Sequence, residues 1–216
     1  RTPISTIIGA VDILQDHNSK LSKENSDHLM IEIEKAGLRL NRQVENLLSM
    51  SRLESGMLKP KYDWCDVNEC INSTIQKIDC DKNHKIVLNI PDNLPLFKID
   101  EGLLEQIIHN LVHNAIQYTP KESTIYITAA HEDDNCVITI SDNGKGFPAE
   151  KIQLAFDKFY RIPETNVSGS GLGLSIVKGF AEAMNGQVSL QNNSSGGATF
   201  IVSIPTETSY ISNLKN

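Results

Sequence analysis

The chain has 216 residues, 39% of them hydrophobic and 22% charged, a composition that excludes disorder, a collagenous repeat and a disulfide scaffold. Its 27 Asp and Glu outweigh 20 Lys and Arg for a net charge of −7, which argues against nucleic-acid binding and against a polybasic membrane patch. Cys65, Cys70, Cys80 and Cys136 form no Cys-x-x-Cys pair and have no His partner at zinc spacing, so they read as reduced thiols of a cytoplasmic protein. No apolar run approaches the roughly 20 residues of a membrane span. The opening Arg1-Thr2-Pro3-Ile4 carries no initiator Met, so the chain is expected to begin inside a longer protein, with any membrane attachment made through upstream segments.

From Ile4 the apolar residues Ile7, Ile8, Val11 and Leu14 recur at helical spacing until Asp16-His17-Asn18-Ser19 breaks the pattern, which predicts a first helix. Leu29, Ile33, Ala36, Leu40, Val44, Leu47 and Ser51 then step by three and four, a heptad seam that starts near Ser22 and stops at Gly56. At about 1.5 Å per residue this helix is roughly 45–50 Å long. Two helices alone cannot bury stripes this wide, so the economical solution is a second copy completing a four-helix bundle; packing on the rest of the chain is the alternative.

Gly56 to Pro60 reads as a hinge, after which a second domain begins. There Lys61 to Cys65 reads as a short strand, Val67 to Ile78 as a helix, Lys85 to Ile90 as a strand and Asp100 to Tyr118 as a strong helix. Thr124 to Ala130 and Cys136 to Ser141 are rich in β-branched residues and bracket the polar Glu132-Asp133-Asp134-Asn135, which predicts a hairpin. Residues 143–170 read as a long loop with short helical pieces, a length that is usually functional or mobile inside a compact domain. A helix over Leu172 to Met184, strands over Gln187 to Gln191 and Ala198 to Ile204, and a polar tail complete the chain.

Four segments of this second part carry chemistry. On the Asp100 to Tyr118 helix, Leu104, Ile107, Ile108, Leu111, Val112 and Ala115 cover one side, while Gln106, Asn110, His113, Asn114 and Gln117 share the opposing arc. A solvated face is one account, but such faces are normally built of Lys and Glu, and two Asn one turn apart suit a hard cation with phosphate oxygens. Asp142-Asn143-Gly144-Lys145-Gly146-Phe147 is either a tight turn or a strand-end carboxylate beside backbone that a flat ligand can approach closely. In Phe156-Asp157-Lys158-Phe159-Tyr160-Arg161 the aromatics fit a core and Arg161 fits a phosphate clamp. Gly169-Ser170-Gly171-Leu172-Gly173-Leu174 opens a helix whose free N–H groups suit an anion, although flexible linkers share its composition. Its spacing is neither that of a dinucleotide fingerprint nor that of a Walker A loop.

In this order the segments resemble the catalytic core of bacterial sensor histidine kinases of two-component systems. His109 to Pro120 is similar to the N box, Asp142 to Phe147 to the first Gly box, Phe156 to Arg161 to the F box and Gly169 to Gly173 to the second Gly box. Arg1-Thr2-Pro3 is similar to the end of the family's His-Glu-x-Arg-Thr-Pro motif, and Leu48 to Gly56 to the close of its second helix. The resemblance implies an α+β chain. Residues 1–58 would be an antiparallel dimerisation and phosphotransfer hairpin forming a dimeric four-helix bundle, with the acceptor His upstream of residue 1. Residues 59–216 would be an α/β-sandwich ATP-binding domain with a mixed sheet covered on one face by helices.

For the site the resemblance implies ATP and Mg²⁺. Asn114 would ligate the metal, Asn110 support metal and phosphates, Tyr118 stack on adenine, and Asp142 accept from the adenine amino group with Thr199 behind it. Gly144, Gly146 and Phe147 would lead into a lid closed by Gly169, Gly171, Leu172 and Gly173, with Arg161 on the terminal phosphate. The activity implied is autophosphorylation of a histidine and transfer to an Asp of a response regulator receiver domain, with Thr2 positioning water for the reverse phosphatase reaction. Gln117 stands where the family usually has Lys or Arg, so one phosphate charge contact is expected either to be missing, at a cost in nucleotide affinity, or to be supplied from elsewhere, by Lys121 or Lys158. Two other readings compete. A gyrase-like ATP hydrolase would carry a general-base Glu where Asn110 stands, and Asn cannot take a proton from water at neutral pH. A non-catalytic ATP-sensing dimeric scaffold is the other.

Overall fold

The computed structural model describes residues 3–16, 21–78, 84–162, 169–194 and 196–210, and the chain divides into two compact units, Arg1–Ser51 and Arg52–Asn216. The first unit is helical. α1 runs Pro3–Gln15, with its proline in the first turn, where no intrahelical N–H bond is lost. α2 runs Lys23–Glu54, its final residues belonging to the second unit. Ser22 starts it: the hydroxyl accepts the N–H of Asn25 at 3.2 Å and the carbonyl accepts that of Ser26 at 3.0 Å. The heptad stripe forms helix but is only partly covered by its own chain: Ala36 is buried and Leu29, Ile33 and Leu40 are half-buried, while Val44 and Leu47 are exposed. Among the described residues of the two helices only Ala10 and Ala36 are buried, whereas Met30, Leu38, Val44 and Leu47 are 49–65% exposed.

Among its described residues the second unit holds two sheets, three α-helices beyond the end of α2 and a short 3-10 helix. β1 (Asp63–Cys65), α3 (Val67–Lys77), β2 (Lys85–Asn89), β3 (Leu96–Ile99) and α4 (Glu101–Tyr118) come first. β4 (Thr124–Glu132), β5 (Asn135–Asp142), a short 3-10 helix (Ala149–Leu154), α5 (Gly173–Ala183), β6 (Gln187–Asn192), β7 (Ala198–Pro205) and β8 (Thr208–Ser209) follow. The starts of α3 and α4 are made by Asp: Asp66 accepts from Glu69 N–H at 3.1 Å and Asp100 from Leu103 N–H at 3.0 Å.

The larger sheet has the order β2-β4-β5-β7-β6, with β2 and β4 parallel and the remaining pairs antiparallel. Its inward face follows from period-two alternation: Ile125, Ile127 and Ala129 on β4 and Cys136, Ile138 and Ile140 on β5 are buried, while their neighbours are not. α4 and α5 pack on each other and on this sheet. The six apolar residues expected on one side of α4 are all buried there. The architecture is α+β, as the sequence leads one to expect.

Three local features differ from the sequence reading. Glu132 pairs directly with Asn135, so the hairpin turn shrinks to Asp133-Asp134, with Asp133 in left-handed conformation at φ 52°. β3 is a strand that no sequence pattern announces. The expected polar tail contains β8, which pairs with β3 in a second antiparallel sheet of order β1-β3-β8. Thr206 secures that return by donating its hydroxyl to the carbonyl of Lys98 at 2.9 Å.

Candidate nucleotide site

Asp142 is the last residue of β5, and the same alternation that buries Cys136, Ile138 and Ile140 turns it onto the helix-covered face, where it is 7% exposed. Its Oδ1 accepts the N–H of Gly144 at 2.8 Å and of Ala198 at 3.3 Å, and its carbonyl accepts the Asn193 side-chain amide at 2.9 Å. Two glycines permit this. Gly197 has a φ of +93°, and a Cβ there would overlap the Asp142 carbonyl oxygen. At Gly144 a Cβ would stand 2.8 Å from Thr119 Cγ2 and 2.9 Å from Asp142 Oδ1. The turn after β5 therefore abuts the C-terminal end of α4, one residue past Tyr118.

Along α4, Asn110, Asn114 and Tyr118 repeat every four residues and share one face over about 12 Å. Asn110 donates its side-chain N–H to the Gln106 carbonyl at 2.9 Å, and its Oδ1 lies 3.4 Å from where a Cβ on Gly173 would stand. At the far end the Tyr118 hydroxyl lies 3.9 Å from the equivalent point on Gly169. The second Gly-rich run thus lines the polar face of α4. α5 begins at Gly173 without a side-chain cap, so its positive end points from that run with N–H groups available to an anion. Leu172, just before it, is buried and anchors the helix start.

The segment between β5 and α5 is pinned at both described ends. Asn192 on β6 accepts the Phe147 N–H at 2.8 Å and donates to the Phe147 carbonyl at 2.7 Å, and Gly146 (φ +69°) leaves room for that amide. Phe147 and Phe156 both meet Phe200 edge-on, at 6.1 and 6.5 Å between ring centroids. Farther on, Gly171 (φ +70°) accepts the Phe159 N–H at 2.9 Å, which joins the F-box segment to the second Gly run backbone to backbone. Arg161 is exposed at the edge of residues 163–168, which lie outside the described residues. Lys158 pairs with Glu54 at 2.8 Å, and Lys121 is exposed.

Asp142, Gly144, Tyr118, Gly169, Asn110 and Gly173 are therefore brought into one connected lining, with Asn114 midway along α4. The hydroxyl of Thr199 is a correction. Thr199 pairs with Ser141, so its side chain leaves the sheet on the face opposite to that of Asp142, and the support Asp142 draws from β7 is the Ala198 backbone N–H. Thr2 lies outside the described residues. Asn192, Asn193 and Gly197 escaped the sequence reading; the signal was the Asn-Asn and Gly-Gly pairs flanking the β6–β7 turn. Neutral carboxamide oxygens beside an uncapped helix start, with glycines wherever a Cβ would fill the lining, fit a magnesium–triphosphate group.

Residues 99–208 match the family model described as Histidine kinase-, DNA gyrase B-, and HSP90-like ATPase, and residues 1–56 match that of the His Kinase A (phospho-acceptor) domain. The chain is 35% identical over 211 residues to Sensor protein KdpD of Escherichia coli (strain K12), a match covering 96% of this chain and 23% of that protein. Among solved structures it is similar to full-length ShkA in complex with AMPPNP, with a TM-score of 0.75 and 25% identity over 97% of this chain and 44% of that one. Histidine kinase ThkA in complex with response regulator protein TrrA shares the fold, with a TM-score of 0.69 and 22% identity over 96% of this chain and 58% of that one.

Proposed function

Because the chain belongs to the sensor histidine kinases, with a phospho-acceptor domain ahead of a histidine kinase-type ATPase domain, we propose that it is the catalytic core of a two-component sensor. It binds Mg·ATP, supports phosphorylation of a histidine and passes the phosphoryl group to an aspartate of a response regulator. Residues 1–58 serve dimerisation and phosphotransfer and residues 59–216 bind the nucleotide. The reading is supported by the continuous lining from Asp142 through Tyr118 and Asn114 to Asn110, closed by Gly169 and Gly173. Among the described residues no helix is long and apolar enough to cross a membrane; the working location proposed is the cytoplasmic portion of a membrane-anchored sensor.

In this reading Asp142 accepts a hydrogen bond from the adenine amino group, which selects adenine over guanine, because a carboxylate offers no donor to a carbonyl oxygen. Tyr118 stacks on the base. Asn110 and Asn114 orient the phosphates, and Asn114 holds the magnesium, which when bound neutralises charge on the triphosphate. Gly144, Gly146 and Phe147 form the fixed stem of a lid, and Gly169, Gly171, Leu172 and Gly173 its far edge. The N–H groups at the start of α5 and Arg161 take up charge on the transferring phosphoryl group, a reaction that asks mainly for positioning and charge neutralisation. Thr2 positions water for the phosphatase reaction. The bundle partner is a second copy of the chain.

Calorimetry with a non-hydrolysable ATP analogue tests this. The unmodified chain should bind more tightly with Mg²⁺ than without, and Asn114→Ala should lose mainly that metal-dependent part. Equal loss of affinity in the presence and absence of Mg²⁺ would show that Asn114 is not the metal ligand; absence of binding by the unmodified chain would overturn the site.

A further inference from the structure

At the opposite end of α4 from Tyr118, three side chains that the kinase reading does not use converge. β1 ends at Cys65, Asp66 caps α3, and Cys70 falls in the first turns of that helix. β3, whose Phe97 pairs with Cys65, leads through the Asp100 cap into Glu101, the first residue of α4. The small sheet thereby delivers two thiols and a carboxylate to one point: one ligand atom from each of Cys65, Cys70 and Glu101 lies within 4.8 Å of the other two. Among the described residues no other group of three His, Cys, Asp or Glu side chains converges in this way. The thiols are 3% and 1% exposed, whereas Glu101 is exposed, so the sulfurs form the floor and the carboxylate the solvent side.

We propose that Cys65, Cys70 and Glu101 bind a borderline-soft divalent cation of the zinc class, with water as fourth ligand. Two sulfurs and one carboxylate oxygen make up a donor set such an ion accepts, whereas magnesium and calcium take oxygen ligands. The spacing is close to what coordination requires. A tetrahedral ion with bonds of about 2.3 Å to sulfur holds its two sulfurs about 3.8 Å apart, so donors already within 4.8 Å of one another need to move by about 1 Å or less. Glu101, in the exposed first turn of α4, closes its own part of that distance by rotating its side chain, and the two sulfurs close theirs by small rotations about their Cα–Cβ bonds. Binding forms two metal–sulfur bonds as both thiol protons pass to solvent. Glu105, one turn further, is held by Lys77 at 2.6 Å and is not the donor. Sequence spacing hid the site, because four residues separate the cysteines and the third ligand arrives through the β1–β3 pairing.

The test is a titration of the full 216-residue chain, reduced by a phosphine under nitrogen, with Co²⁺ and separately with Cd²⁺. Thiolate-to-metal charge-transfer absorption should rise to one equivalent, with the intense visible bands of four-coordinate cobalt. Cys65→Ser and Cys70→Ser should abolish it, Glu101→Gln should weaken binding about tenfold or more, and the double variant Cys80→Ser/Cys136→Ser should leave it unchanged. The proposal is overturned by the absence of a saturable band in the unmodified chain, by its survival in Cys65→Ser or Cys70→Ser, by its loss in the Cys80→Ser/Cys136→Ser variant, or by unaltered affinity in Glu101→Gln. Because Glu101 is exposed, that last variant and the unmodified chain decide the matter even where a buried serine impairs folding.

Discussion

At the scale of single residues, Asp142 shows how one strand supplies both core and chemistry. Three apolar residues at period two set the parity, and the fourth place on the same face is taken by a carboxylate whose Oδ1 is fixed by the N–H groups of Gly144 and Ala198. Asp142→Asn retains an oxygen for those bonds, so the fold should persist with an unchanged far-ultraviolet circular dichroism spectrum. Nucleotide affinity should nevertheless fall by roughly 10- to 150-fold, the equivalent of about 1.5–3 kcal/mol for a lost charge-assisted bond. Calorimetry that finds wild-type affinity in this variant would remove Asp142 from the adenine site. The mispositioned Thr199 hydroxyl belongs to the same scale: a one-residue difference in register sends a side chain to the other face of the sheet.

At the scale of elements, the loop from β5 to α5 is held where backbone meets backbone. Gly171 sits at φ +70°, and a Cβ there would come within 2.7 Å of the Phe159 carbonyl carbon. Gly171→Ala combines a left-handed backbone penalty of roughly 1–2 kcal/mol with overpacking of roughly 1–3 kcal/mol. The loop should release before the core does. Limited proteolysis between Asp157 and Gly171 should accelerate and nucleotide affinity should drop, while amide exchange in α4, whose apolar face is fully buried, stays slow. Gly102→Ala, in the first turn of α4, where the nearest atom to a Cβ is Asp100 Oδ1 at 3.4 Å, is the control and should leave all three readouts unchanged. Unaltered proteolysis in Gly171→Ala would mean that the Phe159 contact does not hold the loop.

At the scale of the whole molecule, the helical unit leaves Val44 at 49% and Leu47 at 65% exposure. A row of such residues along a helix of 32 residues is a surface that water does not favour. A second copy covers it in the proposed assembly. Leu40→Glu combined with Val44→Glu should convert a dimer to a monomer in light scattering while nucleotide binding survives, because the ATP-site residues belong to the other compact unit. A monomeric mass for the unmodified chain would refute the bundle.

Much of this was written in local pattern. The helical periodicities of α1, α2 and α4, the alternation of β4 and β5, and the ordered Asn, Gly and Phe motifs are set by neighbours within a few residues, so the sequence by itself determined the main elements and the α+β class, and its motifs carried the family resemblance that names the candidate site residues. What only the tertiary structure decided involves partners far apart along the chain. β3 is only four residues long and β8 only two, too short for a period to show, and they become strands by pairing, β3 between β1 and β8 and β8 along β3. Asn192 and Asn193 clamp Phe147 and Asp142 across 45 and 51 residues. Register across β5 and β7 assigns Ala198, not Thr199, to the carboxylate. Cys65, Cys70 and Glu101 meet because two strands pair ahead of two helix caps. The physical reason is common to all of these: a side chain's direction is fixed locally, but which group it faces depends on strand register and packing that close over the whole fold.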